Sequence, residues 1–361
     1  MHAERAGRGR VFAYGAAAGL LGDLLLGDPR RGHPVAAFGR AAAAVEGALW
    51  RDHRGWGALH TVVCAGGATA LAALAGRSVR TSRTASVALT AAATWAVVGG
   101  TSLGREARAV GGALAAGDIE AARERLPHLC GRDPQALDAD GIARAVVESV
   151  AENTSDAVVG ALVWGAVGGV PGLVGFRAVN TLDAMVGHKS PKYRRYGWAS
   201  ARLDDVAGWP GARLTAVLAA VAGGNPRGAI RAWRADAGKH PSPNAGVVEA
   251  SFAGALGVRL GGTLSYGGRV EHRPVLNESG RPVEVGDIER AVRLSRRVSW
   301  LALGVGALSA SLRDLAQRRR ASWAAPTLPQ ALGFARAEGT PIAPRNACPQ
   351  QYQQDQPGGN P

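Results

Sequence analysis

An uncharged run from Ala157 to Phe176 sets the strongest limit on how this chain can fold. About 20 apolar residues suffice to cross a bilayer, so a straight helix here would carry its two polar flanks to opposite sides. The run is broken at its centre by Gly168-Gly169-Val170-Pro171-Gly172. Glycine frees the backbone to turn, and proline removes a hydrogen-bond donor. Two half-length helices in a re-entrant hairpin are therefore expected, with irregular backbone at that depth covered by protein or water. A straight, Pro-kinked helix is the alternative. Only the hairpin brings both flanks to one face.

Those flanks hold the polar chemistry. Glu148, Glu152 and Asp156 recur every four residues, which on a helix stacks them along one face within an arc of roughly 80°. Like charges at that spacing repel. The stack therefore calls for arginine or a divalent metal to answer it. Beyond the run, Asn180 and Asp183 repeat the theme at i, i+3, and the loop behind them carries Lys189, Lys192, Arg194 and Arg195. Carboxylates beside a basic loop suit magnesium held against phosphate oxygens, with the cations neutralising the remainder.

The rest of the chain points to a bilayer. Apolar segments at residues 11–27, 55–76, 84–104, 157–176, 206–224 and 298–312 predict an all-α, polytopic integral membrane protein. Residues 1–320 are read as one membrane-embedded domain. Segments 55–76 and 84–104 contain no Asp, Glu, Lys or Arg, and the short basic link between them predicts an antiparallel hairpin. Segment 11–27 includes Asp23, and no small-residue cleavage pattern precedes DPRRGHP, so a retained first helix is expected. An acid in a membrane helix is a functional candidate; pairing with Arg30 or Arg31 is its structural alternative. Residues 105–141 turn soluble in character, with an N-capped helix from Asp118 and a loop from Leu126 to Pro134, their charges expected to be solvated. The tail at 321–361 is rich in Pro, Gln and Gly, and disorder is expected from about residue 340.

A net charge of +14, almost wholly arginine, would usually suggest nucleic acid. The charge is spread through every loop, and no recognition motif occurs, so anionic lipid and phosphate-bearing substrates are the expected partners. Three isolated cysteines give neither a disulfide framework nor a zinc site. No GxxxxGK[ST], HExxH, GxSxG or CxxC pattern is present. Lys239-His240-Pro241-Ser242-Pro243-Asn244 reads as a helix entrance, Ser242 capping and Pro243 at the first helical position, with Glu249 about two turns in. A helix entrance can also receive an anion.

Four blocks carry a resemblance. GDPRRGHPVAAFGR, VESVAENTSDAVVGAL, RAVNTLDAMVGHKSPKYRRYGWASARLDDVAGWPGARLT and HPSPNAGVVEASFAGALGVRLGG resemble the signature blocks of the CobD/CbiB family, over roughly residues 11–312. Val247-Val248 depart from the Trp-Pro expected before Glu249, which bears on local packing. The resemblance implies a multi-pass protein of the inner membrane, an adenosylcobinamide-phosphate synthase of cobalamin biosynthesis with its site facing the cytoplasm. It would join adenosylcobyric acid to (R)-1-aminopropan-2-ol phosphate, with ATP as cosubstrate and Mg²⁺ as metal. Glu148, Glu152, Asp156 and Asp183 are the expected catalytic carboxylates, the last three also the magnesium ligands. Asn153, Asn180, Lys189, Lys192, Arg194, Arg202, Ser242, Asn244 and Glu249 are the expected substrate and phosphate contacts. Other cobalamin-biosynthesis enzymes are possible partners. A transporter using buried carboxylates, or a membrane scaffold, is the competing class.

Overall fold

The computed structural model describes residues 7–28, 32–266 and 269–323. Arg30, Arg31 and the tail beyond residue 323 lie outside the described residues. Met1–Ser322 form one unit by their contacts.

Among the described residues, three helical stretches are long and apolar enough to cross a membrane: Arg8–Leu26, Arg54–Ser78 and Arg83–Ala115. The first is α1 and the second α3, which contains one wide π turn at Val62–Gly66. The third is divided at Val98-Gly99 into α4 (Arg83–Val97) and α5 (Gly100–Ala115). Between α1 and α3 lies α2 (Pro34–Leu49), and the short α6 (Ile119–Arg125) follows α5. The chain is an all-α membrane protein. Large apolar side chains remain uncovered on these helices, among them Leu25, Leu26, Val62, Leu71 and Leu74, as suits a surface facing lipid.

Small residues fix the packing. A Cβ built at Gly15 would lie 2.5 Å from Thr90 Cβ, and one at Gly19 would lie 2.5 Å from Thr94 Cβ. Backbones can approach that closely only at glycine, so α1 and α4 pack along their length. This corrects the hairpin expected for segments 55–76 and 84–104. The chain does turn back through Val79–Ser82, yet α3 packs chiefly on a later helix and α4 on α1. The basic link sets direction, and glycine placement sets partners.

The central run is a hairpin. Helix α7 (Ala139–Asn153) widens into a π turn at Thr154–Val159 and continues as α8 (Gly160–Gly168). Gly169 then turns the chain at φ +66°, and α9 (Val170–Val186) returns along α8. Cβ atoms built at Gly160 and Gly172 would lie 2.3 Å from the Phe176 ring and 2.0 Å from the Trp164 carbonyl oxygen. Pairs 160 with 176 and 164 with 172 share one sum, the mark of antiparallel register. The straight, kinked helix is therefore excluded. Gly172→Ala is expected to cost about 1–3 kcal/mol by overpacking, read as a lower melting temperature in detergent. Gly168→Ala, with nothing within 4 Å of the added carbon, is the control and should change little.

Segment 206–224, apart from its last two residues, falls within α10 (Trp198–Ala222), whose second half is largely buried in protein. Then follow α11 (Pro226–Asp236) and α12 (Ala245–Leu256). Segment 298–312 lies inside α13 (Gly286–Trp323), a helix of 38 residues. The polar stretch before it departs from a purely helical expectation. It forms an antiparallel ribbon, β1 (Leu260–Tyr266) with β2 (Arg269–Leu276), with an irregularity between Leu260 and Gly262.

Candidate functional site

The hairpin register decides where the acids meet. The hairpin brings α9 back beside the π turn that holds Asp156. The π turn holding Asp156 shifts the face on which later side chains emerge, a feature common at functional sites. Asp204, Glu152 and Asp183 all stand close enough to raise the pKa of Asp156, while Arg177 acts the other way. Burial is the largest cause, and together these hold the Asp156 carboxyl well above the ordinary range. Asn180 ties the group together: its Nδ2 donates to Asp204 Oδ1 at 3.4 Å, and its Oδ1 accepts from Arg177 Nη1 at 3.4 Å.

Two of these acids titrate near neutrality. Burial, then the charge of Asp205, raises Asp183 to about 6. Burial, then Asp183, raises Asp204 to about 7 against the hydrogen bond from Asn180. Both bind protons more tightly folded than unfolded, so the folded chain holds the excess of protons between about pH 4 and about pH 7. Stability should fall as pH rises through that window. Melting temperatures in chelator should decline between about pH 4 and about pH 7, and Asp204→Asn should flatten the decline. An unchanged slope in that variant would exclude Asp204 as the titrating group.

A second set of buried charges adjoins the first through Glu152. Glu148, 1% exposed, is paired with Arg132 and accepts the Gly261 N–H at 2.6 Å. Glu249 on α12 lies 3.8 Å from His240 Nε2, which stands 3.2 Å from Arg273 Nη1. Glu152 adjoins Glu249. Burial, then the charges of Glu152 and Glu148, pushes the Glu249 carboxyl well above its usual range. Burial, then Arg273, pushes His240 down, which leaves its imidazole neutral.

The other expected contacts lie apart. Lys192 is paired with Glu46 at 2.7 Å and donates to Tyr193 Oη at 2.8 Å. Lys189 and Arg194 are exposed on the loop behind α9, and Arg202 is exposed beside Asp205 at 3.7 Å. Asn153 donates to Ser149 O at 2.9 Å, a bond within its own helix. Ser242 Oγ accepts from the Asn244 and Ala245 N–H groups at 3.3 and 3.1 Å. The helix begins at Ala245, so Pro243 stands in the preceding turn and not at the first helical position. Buried Asn244 joins α12 to α10, accepting from Arg213 Nη1 at 2.6 Å and donating to Asp205 O at 2.9 Å. Val247 and Val248, the departure from the family pattern, are buried.

Arg132 is the clearest correction. The loop holding it reads as solvated, yet its side chain is 5% exposed and neutralises Glu148. Arg177 was not among the expected residues, although its place three residues before Asn180 on the same helix face was a local signal. His240 and Arg273 meet Glu249 only through folding and carry no local signal.

Among the described residues, no three His, Cys, Asp or Glu side chains converge tightly enough to enclose a metal ion. Magnesium does not need such a cage, because it keeps waters and takes one or two carboxylates plus substrate phosphate. Asp156 and the three carboxylates that repel it, Asp204, Glu152 and Asp183, fit that open mode.

The sequence profile described as CobD/Cbib protein matches residues 16–295. A Mycobacterium tuberculosis protein called "Cobalamin biosynthesis protein CobD" is 55% identical over 290 residues, covering 79% of this chain and 92% of that protein. Proteins of the same description from Chromobacterium violaceum and Rhizobium meliloti are 44% identical over 287 residues and 41% over 291. They cover 78% and 76% of this chain, and 91% and 89% of their own lengths. No solved structure matches. With most of its length matched by the family profile and by these relatives, the chain belongs to the CobD/CbiB family.

Proposed function

We propose that the chain is an ATP-dependent acid–amine ligase of cobalamin biosynthesis, acting at the cytoplasmic face of the inner membrane. It would join adenosylcobyric acid to (R)-1-aminopropan-2-ol phosphate, or a related amino-alcohol phosphate, giving adenosylcobinamide phosphate. The observation that carries this reading is the gathering of Glu152, Asp156, Asp183 and Asp204 around Arg177 and Asn180 at the mouth of the hairpin.

A carboxylate is a poor acyl donor, so the acid would first take the γ-phosphoryl group of ATP, releasing ADP. The amine then attacks the acyl carbon, the carbon–oxygen bond to phosphate breaks, and inorganic phosphate leaves. Bound magnesium would neutralise charge on the phosphoryl oxygens. Glu152, Asp156 and Asp183 are its proposed ligands. An amine attacks only as the free base, and at physiological pH the substrate arrives as an ammonium. Asp204, near 7, is matched to accept that proton at working pH. Asn180 orients Asp204, and Glu148 and Glu249 brace Glu152 from the opposite side. Lys189 and Arg194, exposed on the loop after α9, would reach phosphate there. Lys192 would first have to leave Glu46.

The test uses purified full-length protein in detergent with adenosylcobyric acid, the amino-alcohol phosphate, magnesium and ATP. Corrinoid product and ADP should appear in step. Folded protein yielding neither would overturn the ligase and bring a carboxylate-coupled transporter forward.

A further inference from the structure

At 25 residues α10 is long enough to cross a bilayer. Its charges speak against a crossing, because Arg202, Asp204, Asp205 and Arg213 interrupt it, and each charge at the bilayer centre costs about 3 kcal/mol. Its outer face is nonetheless apolar. Leu203, Val206, Trp209, Val217 and Val221 are all exposed, and at 100° per residue they fall within an arc of about 120°. On the opposite face Gly208, Gly211, Ala212 and Thr215 are buried. Asp204 lies on that inner side, where Asn180 donates to it at 3.4 Å. An uncovered apolar stripe of this length needs an apolar neighbour.

Both ends of α10 come to one side of the membrane. At its start, Trp198 Nε1 donates to the Arg54 carbonyl at 3.0 Å, where α3 begins. A Cβ built at Gly57 would lie 1.7 Å from the Tyr196 carbonyl oxygen, so the start of α3 packs on the chain just beyond α9. At its other end, the Ala222 carbonyl accepts from Arg297 Nη1 at 3.3 Å. Arg297 stands where the exposed face of α13 changes from Arg293 and Arg296 to Trp300, Leu301 and Val305, as at a passage from water to lipid. Ser295, on the same turn, accepts from Thr154 Oγ1 at 2.6 Å in the π turn that holds Asp156. The end of α9 and that π turn are the two lips of the hairpin mouth, so both anchors of α10 share its side. Arginine and tryptophan are paired along this level. The Arg51 and Arg54 guanidiniums stand 6.0 Å from the Trp56 and Trp198 ring centres, and that of Arg213 stands 4.7 Å from Trp209. Tryptophan collects at headgroup depth, and arginine suits phosphate while stacking on rings.

We infer that α10 does not span but lies along the membrane plane in the headgroup layer on the side of the hairpin mouth, its outer face covered by acyl chains and its arginines at phospholipid phosphates. The same helix then carries Asp204 on its protein side and lipid on the other, which makes the bilayer surface an outer wall of the carboxylate site. The placement is independent of the reaction the chain performs.

Nitroxide labels test this on the full chain in phospholipid nanodiscs, placed singly through Val206→Cys, Val217→Cys and Val221→Cys, with Cys64, Cys130 and Cys348 replaced by alanine. Collision with oxygen, which dissolves in lipid, against collision with a water-soluble nickel chelate reports the depth of each label. The three depths should agree to within about 5 Å, whereas a spanning helix would separate 206 from 221 by about 22 Å at 1.5 Å per residue. Labels at Val62 and Leu71, both exposed on the spanning α3, supply the scale and should differ by about 13 Å. A steady gradient from 206 to 221 would overturn the inference. Nickel collision without oxygen at all three would also overturn it, by placing the face in water, and collision with neither would do so by giving the face to a second protein surface. Should a cysteine variant fold poorly, fluorescence asks the same question in bilayers brominated either near the headgroup or near the chain ends. The emission lost on Trp209→Phe should be the part that shallow bromine quenches, and quenching of that part by deep bromine alone would again reject an in-plane α10. None of these readouts needs turnover, so failure of the ligase reading is seen separately.

Discussion

Glu152→Gln is expected to lower ligation by about 10²–10⁴-fold, the usual contribution of a positioned acid–base or ligand carboxylate, with the protein still folded. Asp156→Asn should act alike. The physical argument also fixes the sign of the stability change. Asp156 is surrounded by Asp204, Glu152 and Asp183, with Arg177 the opposing cation. Neutralising one member of a like-charged group relieves repulsion, so either variant should melt at the same temperature or higher while losing turnover. Sites built for chemistry commonly hold this trade-off. Turnover and melting temperature measured on the same preparations decide it. A variant with normal product formation would remove that residue from the site, and one that lost activity only by unfolding would make its role structural.

Arg132→Met should be the most destabilising single change away from the apolar core, by about 3–5 kcal/mol. It would leave Glu148, 1% exposed, with the Gly261 N–H but without its cation. Carrying Met at both positions 132 and 148 should recover most of the loss, because well-packed apolar groups replace a buried ion pair at little cost. Thermal unfolding of the two single variants and the double variant forms the required cycle. If the double variant is as unstable as the worse single one, the pair is not the source of the effect. If it is stable and still ligates, Glu148 serves the scaffold and not the chemistry.

How much of this was legible before folding varies residue by residue. The carboxylate spacing at 148, 152 and 156 was local, and so was the Gly-Gly-Val-Pro-Gly break, whose turn is realised at Gly169. Helical apolar runs are also local, which is why spans at 8–26 and 54–78 follow segments 11–27 and 55–76 closely. The ribbon at 260–276 was missed, because its polar, proline-containing sequence lacks a clean two-residue period. The pairing of Lys192, one of the cations expected as phosphate contacts, was not legible for another reason. Charge and position along the chain do not reveal that Glu46, distant in sequence, holds Lys192.

By itself, then, the sequence determined an all-α membrane chain, a broken central run and the residue types of one acidic face, since periodicity and backbone freedom act within a few residues. Tertiary structure alone decided that Arg132 neutralises Glu148, that Glu249 adjoins Glu152, and that Thr101 donates to Asp23. Those outcomes depend on which helices approach closely, and that was set by glycines at 15, 19, 160 and 172, whose missing side chains mean nothing until a partner backbone arrives.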